Sequence, residues 1–398
     1  MVVFICKVDD VCAQTNNFIV TDFGAIPNGK TDSKEGFLEA WKRACEIDGG
    51  IVSVPFGSFF ISSADFKGPC NGQTLFRVDG TLIASDDSTL GNQDYWITFY
   101  KVDLLKLSGN GAFDGNGASS WSHCEGHKKC RNMPPSTLKI NYVKNARIQG
   151  IKLINSKMFH VHIHESDNVV VKQVNILAPE DSPNTDGIHI GNSNGVRIMD
   201  SYIATGDDCV SMGEGSTNVN ITGTWCGPGH GISIGSLGKY KEEKDVFGIT
   251  VRNCTFNGTD NGLRIKTWAP SSSSTRVSDV TFSDIIINEV KNPIIIDQYY
   301  CPHGSCNSNG ESTVEIKGVK FFDIKGSSTT ETAVNIKCSK TKPCQDIEFS
   351  GLDLTLTNGQ PTIASCSNTK ENELGEQSGS VARQLDDPEV PAIIEHMN

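Results

Sequence analysis

Between Asp186 and Gly235 the chain repeats itself. Ile188, Val210 and Ile232 stand 22 residues apart, and so do Asp186, Asp208 and His230. Three stretches vary one pattern: Asn184-Thr185-Asp186-Gly187-Ile188-His189-Ile190-Gly191, Asp207-Asp208-Cys209-Val210-Ser211-Met212-Gly213 and Gly229-His230-Gly231-Ile232-Ser233-Ile234-Gly235. Each has a polar pair, a small residue, a short alternating apolar run and a glycine. A fixed period near 20 with Ile/Val alternation marks a solenoid, whose coils bury their apolar faces on one another. Neighbouring coils of a parallel β-helix lie about 4.8 Å apart. The spacing therefore predicts a column of Asp186, Asp208 and His230 on the outer surface, with Asp207 beside it.

The pattern extends downstream. In Asn261-Gly262-Leu263-Arg264-Ile265-Lys266, Gly262 takes the place of Gly187 and Gly231. Arg264 and Lys266 then share a face, because alternate strand residues do. Asn292-Pro293-Ile294-Ile295-Ile296 forms the next coil and leads into Tyr299 and Tyr300. Like charges on neighbouring strands repel, so a ladder of stacked carboxylates is expected to serve chemistry rather than scaffolding.

The chain has 398 residues. Ordinary cores split into domains beyond roughly 250–300 residues, but a solenoid escapes that limit. One elongated domain is expected over residues 14–366. Asp32 with Glu35 reads as a capping box, and Phe37, Leu38, Trp41, Ala44 and Cys45 follow at helical spacing. A helix over 33–47 is expected to cap the N-terminal end. Residues 1–13 read as a truncated or atypical signal peptide, and 367–398 as an acidic, mostly disordered tail. The period breaks at 121–135, 239–245 and 301–312, and insertions in repeat proteins gather on the binding face.

The net charge of −12 excludes a basic nucleic-acid footprint. An anionic ligand would need a local basic patch, for which Arg264 and Lys266 are the candidates. No stretch is long enough to span a membrane as an apolar helix. The 14 cysteines include pairs close in sequence, Cys124 with Cys130, Cys301 with Cys306 and Cys338 with Cys344. Cys209 and Cys226 fall on adjacent coils. Disulfides in a secreted protein are the simplest reading, and three glycosylation sequons at Asn220, Asn253 and Asn257 agree with it. Two metal readings compete weakly: His123, Cys124, His127 and Cys130 as a zinc cluster, and His160, His162 and His164 on one strand face. Irregular spacing weakens the first. For the second, a polar outer face suffices, with His160 at the groove.

Three carboxylates within one or two strand spacings cannot all ionise easily, so at least one pKa is expected to rise. A protonated acid beside an ionised base is the minimum for cleaving a glycosidic bond. Arg264 and Lys266 are placed to hold a substrate carboxylate. These residues alone point to an acid-dependent hydrolase or lyase acting on an anionic polymer.

The motifs Asn184-Thr185-Asp186-Gly187, Asp207-Asp208, Gly229-His230-Gly231 and Arg264-Ile265-Lys266 together resemble the polygalacturonase family of glycoside hydrolases. Asp181-Ser182-Pro183 and Cys226-Gly227-Pro228 look like its plant members, and Asp297-Gln298-Tyr299-Tyr300-Cys301-Pro302 like pollen-type exopolygalacturonases. The resemblance implies an all-β fold, a single-stranded right-handed parallel β-helix. It implies inverting hydrolysis of α-1,4-galacturonan by a secreted monomer, with no cofactor and no metal. It carries over Asp207 as general acid, Asp186 and Asp208 as the groups that hold and activate water, and His230 as tuning Asp207. Asn184, Arg264, Lys266 and Tyr300 would bind substrate, with Tyr299 a weaker alternative to Tyr300. The close stacking of carboxylates would by itself suggest retention; inversion rests on the resemblance. An endo-acting enzyme is the main alternative. A calcium-dependent pectate lyase or a non-catalytic pectin-binding β-helix are remoter ones, separable by chelation and by release of reducing ends.

Overall fold

The computed structural model describes residues 16–86, 94–122, 134–302, 306, 310–369 and the backbone of 381–385. Each coil adds one strand to a twelve-stranded parallel sheet. Its spatial order equals chain order. It runs from Ala64–Lys67 through Tyr95–Tyr100, Ser136–Asn141, Val161–His164, Ile188–Gly191, Val210–Met212, Ile232–Leu237, Asn261–Trp268, Asn292–Tyr300, Thr332–Lys337 and Thr362–Ser367 to Val381–Leu385. This is the solenoid that the 22-residue spacing predicts, with somewhat more coils than the roughly ten its repeat lengths suggest. Alternation along each strand sends one set of side chains inward. Ile188 and Ile190, Val210 and Met212, Ile232 and Ile234, and Leu263 and Ile265 are buried in the interior.

The remaining strands form a second parallel assembly of 20 strands. In early coils it has two short strands per turn. From Val246–Asn257 onward a single long strand bends through both positions, pairing with Thr217–Thr222 and with Trp225–Cys226 of the coil before. The bend recurs at residues with positive φ: Gln173, Asp200, Gly223, Asn253, Asp284, Asp323 and Gly351. Asn, Asp and Gly tolerate this left-handed geometry best, so the corner is written in sequence as a loose column of these residues. Inside, Phe282, Phe321 and Phe349 stack with centroids 5.1 Å apart at each step.

The N-terminal helix spans Lys34–Cys45 and buries Phe37, Ala40, Trp41 and Ala44. Trp41 packs on Phe66 and Phe99, each at 5.5 Å, closing the apolar end of the solenoid. The expected cap chemistry differs in detail. The residue preceding the helix is Ser33, whose hydroxyl accepts the Ile26 amide instead, while Asp32 accepts the Lys34 amide. The Cys45–Cys70 disulfide pins the helix to the first coils.

Cys209–Cys226, Cys301–Cys306 and Cys338–Cys344 are also bonded. The Cys124–Cys130 pair, the zinc reading around it and the leader at 1–13 lie outside the described residues. Within the tail expected to be mostly disordered, Val381–Leu385 forms a short strand. That segment pairs in parallel with Thr362–Ser367 and extends the sheet by one strand.

Candidate active site

Asp186, Asp208 and His230 each stand two residues before a strand of the twelve-stranded sheet. Ile188 pairs with Val210 and Val210 with Ile232, so the three form the expected column on adjacent coils. Backbone bonds fix the register: Gly187 N–H donates to Asp208 O at 2.9 Å and Cys209 N–H to Gly231 O at 2.8 Å. Gly231 has φ of 84°, and a Cβ there would sit 2.1 Å from the Asn261 carbonyl oxygen. The close passage of backbone next to His230 therefore needs glycine.

On this outer face the carboxylates of the column line the floor of a groove. Asp208 is 1% exposed and Asp186 7%. Asp208 is saturated with donors: Ser233 Oγ at 2.8 Å and the Arg264 guanidinium on Oδ1, and Lys266 Nζ on Oδ2 at 2.9 Å. The two cations expected to face substrate thus spend part of their charge inward. Burial opposes charge on Arg264, but Asp208 more than compensates and raises its pKa.

Asp207 sits beside the column. Its Oδ1 accepts the Asp208 amide at 2.8 Å and lies 3.1 Å from His230 Nδ1. Burial alone would raise Asp207, but the bond and charge of His230 prevail and hold it below the usual carboxylate range. His230 is correspondingly raised, against burial, by its bond to Asp207 and by the charges of Asp207 and Asp208. Asp186 moves the other way. Burial, then the charges of Asp207 and Asp208, push it well above the ordinary carboxylate range, with Ser211 and Lys266 opposing. This is the raised carboxyl that repulsion predicts. Of the two, Asp186 is shifted toward holding a proton and Asp207 toward releasing it.

The groove is a cavity of about 480 Å³. Asn184, Asp186, Asp207 and Asp208 line its centre, Lys266, Tyr300, Lys239 and Tyr240 one end, and Phe159, His162 and His189 the other. Lys266 Nζ lies 5.3 Å above the Tyr300 ring. Tyr299 instead donates to Glu311 Oε2 at 2.8 Å. His160 does not reach the groove. It is fully buried with Nδ1 3.1 Å from the Asp186 carbonyl, and burial pushes it down to about 4.

Sequence reasoning missed the row of His189, Ser211 and Ser233, which pairs across the strands next to the column and continues to Arg264. The same 22-residue spacing would have found it. The His162 and His189 rings, 5.0 Å apart, are held neutral by burial. Among the described residues, Asp207, Asp208 and His230 bring one potential ligand atom each within 4.8 Å. Three donors already occupy Asp208, two of them cationic, so this set suits a proton and an anionic sugar better than a metal ion.

A parallel β-helix carrying three carboxylates and a histidine in a groove, with cations alongside, defines an acid–base enzyme for polysaccharide cleavage. Residues 47–378 match the family Glycosyl hydrolases family 28. An exopolygalacturonase of Platanus acerifolia is 42% identical, over 90% of this chain and 96% of its own. A polygalacturonase of Nicotiana tabacum is also 42% identical, over 93% and 92%. Among solved structures, the endo-xylogalacturonan hydrolase of Aspergillus tubingensis superposes with a TM-score of 0.80 at 24% identity, over 92% of this chain and all of that one. The chain belongs to the glycosyl hydrolases of family 28.

Proposed function

We propose that the chain is a pectin-degrading exopolygalacturonase, which hydrolyses α-1,4-galacturonan from the non-reducing end and inverts the anomeric centre. The single observation that carries the substrate class is a carboxylate triad with Lys266 in one groove, and Arg264 bonded to Asp208 behind it, in an acidic protein. A neutral glycan would not require buried cations there; a galacturonate carboxylate does. Relatives named exopolygalacturonase and polygalacturonase, each about 42% identical, support the same reading.

Asp207 is the acid in this reading. A bound galacturonate displaces water and brings its own negative charge, and both favour protonation of Asp207. His230 keeps the carboxyl oriented until then. Asp186 is the base, because its raised pKa gives it the higher affinity for the water proton. Asp208, with three donors on it, holds Arg264 and Lys266 in place. Asn184, Lys266 and Tyr300 contact the sugar. Four disulfides among the described residues and three sequons support an extracellular, cell-wall site of action.

The exo mode is tested by digesting polygalacturonate while following viscosity and products together. Monogalacturonate from the first time point with slowly falling viscosity is expected. A rapid viscosity drop with mixed oligomers makes the enzyme endo-acting. Unsaturated products that vanish with a chelator make it a lyase.

A further inference from the structure

Asp186 is not the end of its hydrogen-bond chain. Ser211 Oγ lies 2.6 Å from Asp186 Oδ2, and His189 Nδ1 lies 2.8 Å from the same Ser211 oxygen. A serine hydroxyl has one proton and a carboxylate only accepts. In the ionised form of Asp186, the form that acts as base, Ser211 donates to Asp186 and must accept from His189. In that form His189 is the Nδ1–H tautomer and Nε2 carries the lone pair.

Nε2 lies at the groove wall. Phe159 stacks on the His189 ring at 4.5 Å and His162 meets it edge-on at 5.0 Å, so the ring is fixed. A Cβ added to Gly213 would lie 3.7 Å from Nε2, in ordinary contact. Glycine there leaves the ring edge open, and both residues line the groove.

We propose that His189 and Ser211 couple substrate to the catalytic base: His189 Nε2 accepts a sugar hydroxyl, and its Nδ1–H orders Ser211 so that Ser211 donates to Asp186. This rests on the assignment of Asp186 as base. Ser211 and His189 are positioning residues; no bond to them forms or breaks. The pair leaves Asp186 Oδ1 for the attacking water and favours the ionised form. Asp207, Asp208 and Lys266 also act on Asp186, and Asp208, Lys266 and His164 on His189. These groups are the same in every variant below, so a shift between variants reports the chain itself.

The test uses the intact enzyme and oligogalacturonates. In Ser211→Ala, the acid limb of kcat/KM should move up by about one pH unit, because Asp186 loses a donor that favours its charge. His189→Ala should move it the same way, and His189→Gln, whose amide N–H can replace Nδ1–H, should restore most of it. Gly213→Ala should leave the limb in place and raise KM several-fold by covering Nε2. An acid limb in Ser211→Ala that coincides with wild type overturns the coupling to the base. An unchanged KM in Gly213→Ala overturns the hydroxyl contact. Asp186→Ala with azide checks the underlying reading separately. Formation of a β-galacturonosyl azide supports Asp186 as base whatever the other variants do, and full turnover without azide removes that assignment.

Discussion

His230 Nδ1 and Asp207 Oδ1 stand 3.1 Å apart across adjacent coils, and the two groups pull each other's titration in opposite directions. Between them they hold one proton until the pH passes the raised pKa of His230. Removing the imidazole leaves Asp207 to hold it alone. His230→Ala should therefore lower kcat by about a hundredfold and move the alkaline limb of the pH–rate profile downward. A profile unmoved on its alkaline side would separate His230 from the acid. The stability linkage has the same sign. The raised histidine stabilises the fold fully below its unfolded pKa, and that contribution is lost as pH rises through the folded one.

Asp208 should matter for stability more than its neighbours in the triad. It is 1% exposed and neutralises Arg264 and Lys266. Asp208→Asn removes the direct ion-pair partner of both cations, which costs about 3–5 kcal/mol by analogy with broken buried pairs. Asp207→Asn keeps those pairs and gives up only the charge opposite His230, so it should be destabilised less than Asp208→Asn while losing turnover. Denaturant unfolding of both variants side by side decides this; equal destabilisation would mean that the cations find other partners.

How far this site was legible depends on where the period holds. Asp186, Asp208 and His230 could be stacked from sequence because their coils are of equal length. Arg264 was placed on the right face, but its inward turn to Asp208 could not be read, since face and direction are separate facts. His189 and Ser211 follow the same 22-residue spacing, but spacing does not say that they bond to Asp186. The long bent strands hide behind corner residues such as Asn253 and Asp284, which look like ordinary turns. The strand at 381–385 follows a polar stretch with no matching period, so nothing local signals that it pairs with Thr362–Ser367.

The Cys209–Cys226 disulfide follows Asp208 directly in sequence and closes a 17-residue separation. In the chain-entropy picture, a loop of this size is worth roughly 3 kcal/mol. Replacing both cysteines by alanine should lower Tm and, because the bond anchors the turn that carries Asp207 and Asp208, reduce kcat more than the equivalent change at Cys338–Cys344. Comparing the two double variants in one assay tests this, and equal loss at both would show that the catalytic turn is held by its backbone bonds alone.

Asp186 gives the opposite pH signature to a carboxylate held in an ion pair. Its folded pKa is raised, first by burial and then by Asp207 and Asp208. The folded state then binds more protons than the unfolded state between the ordinary carboxylate pKa and the raised one. Stability falls as pH rises through that window. Asp186→Asn removes the titration while keeping an oxygen that can accept from Ser211. The variant should be inactive yet melt higher than wild type at neutral pH, and the two melting curves should converge as pH falls below about 4, where Asp186 is protonated in both states. Tm measured across pH 3–7 reads this directly. A gap that widens toward acid would mean that Asp186 is ionised in the folded enzyme, and with it the argument for Asp186 as the stronger base would fail.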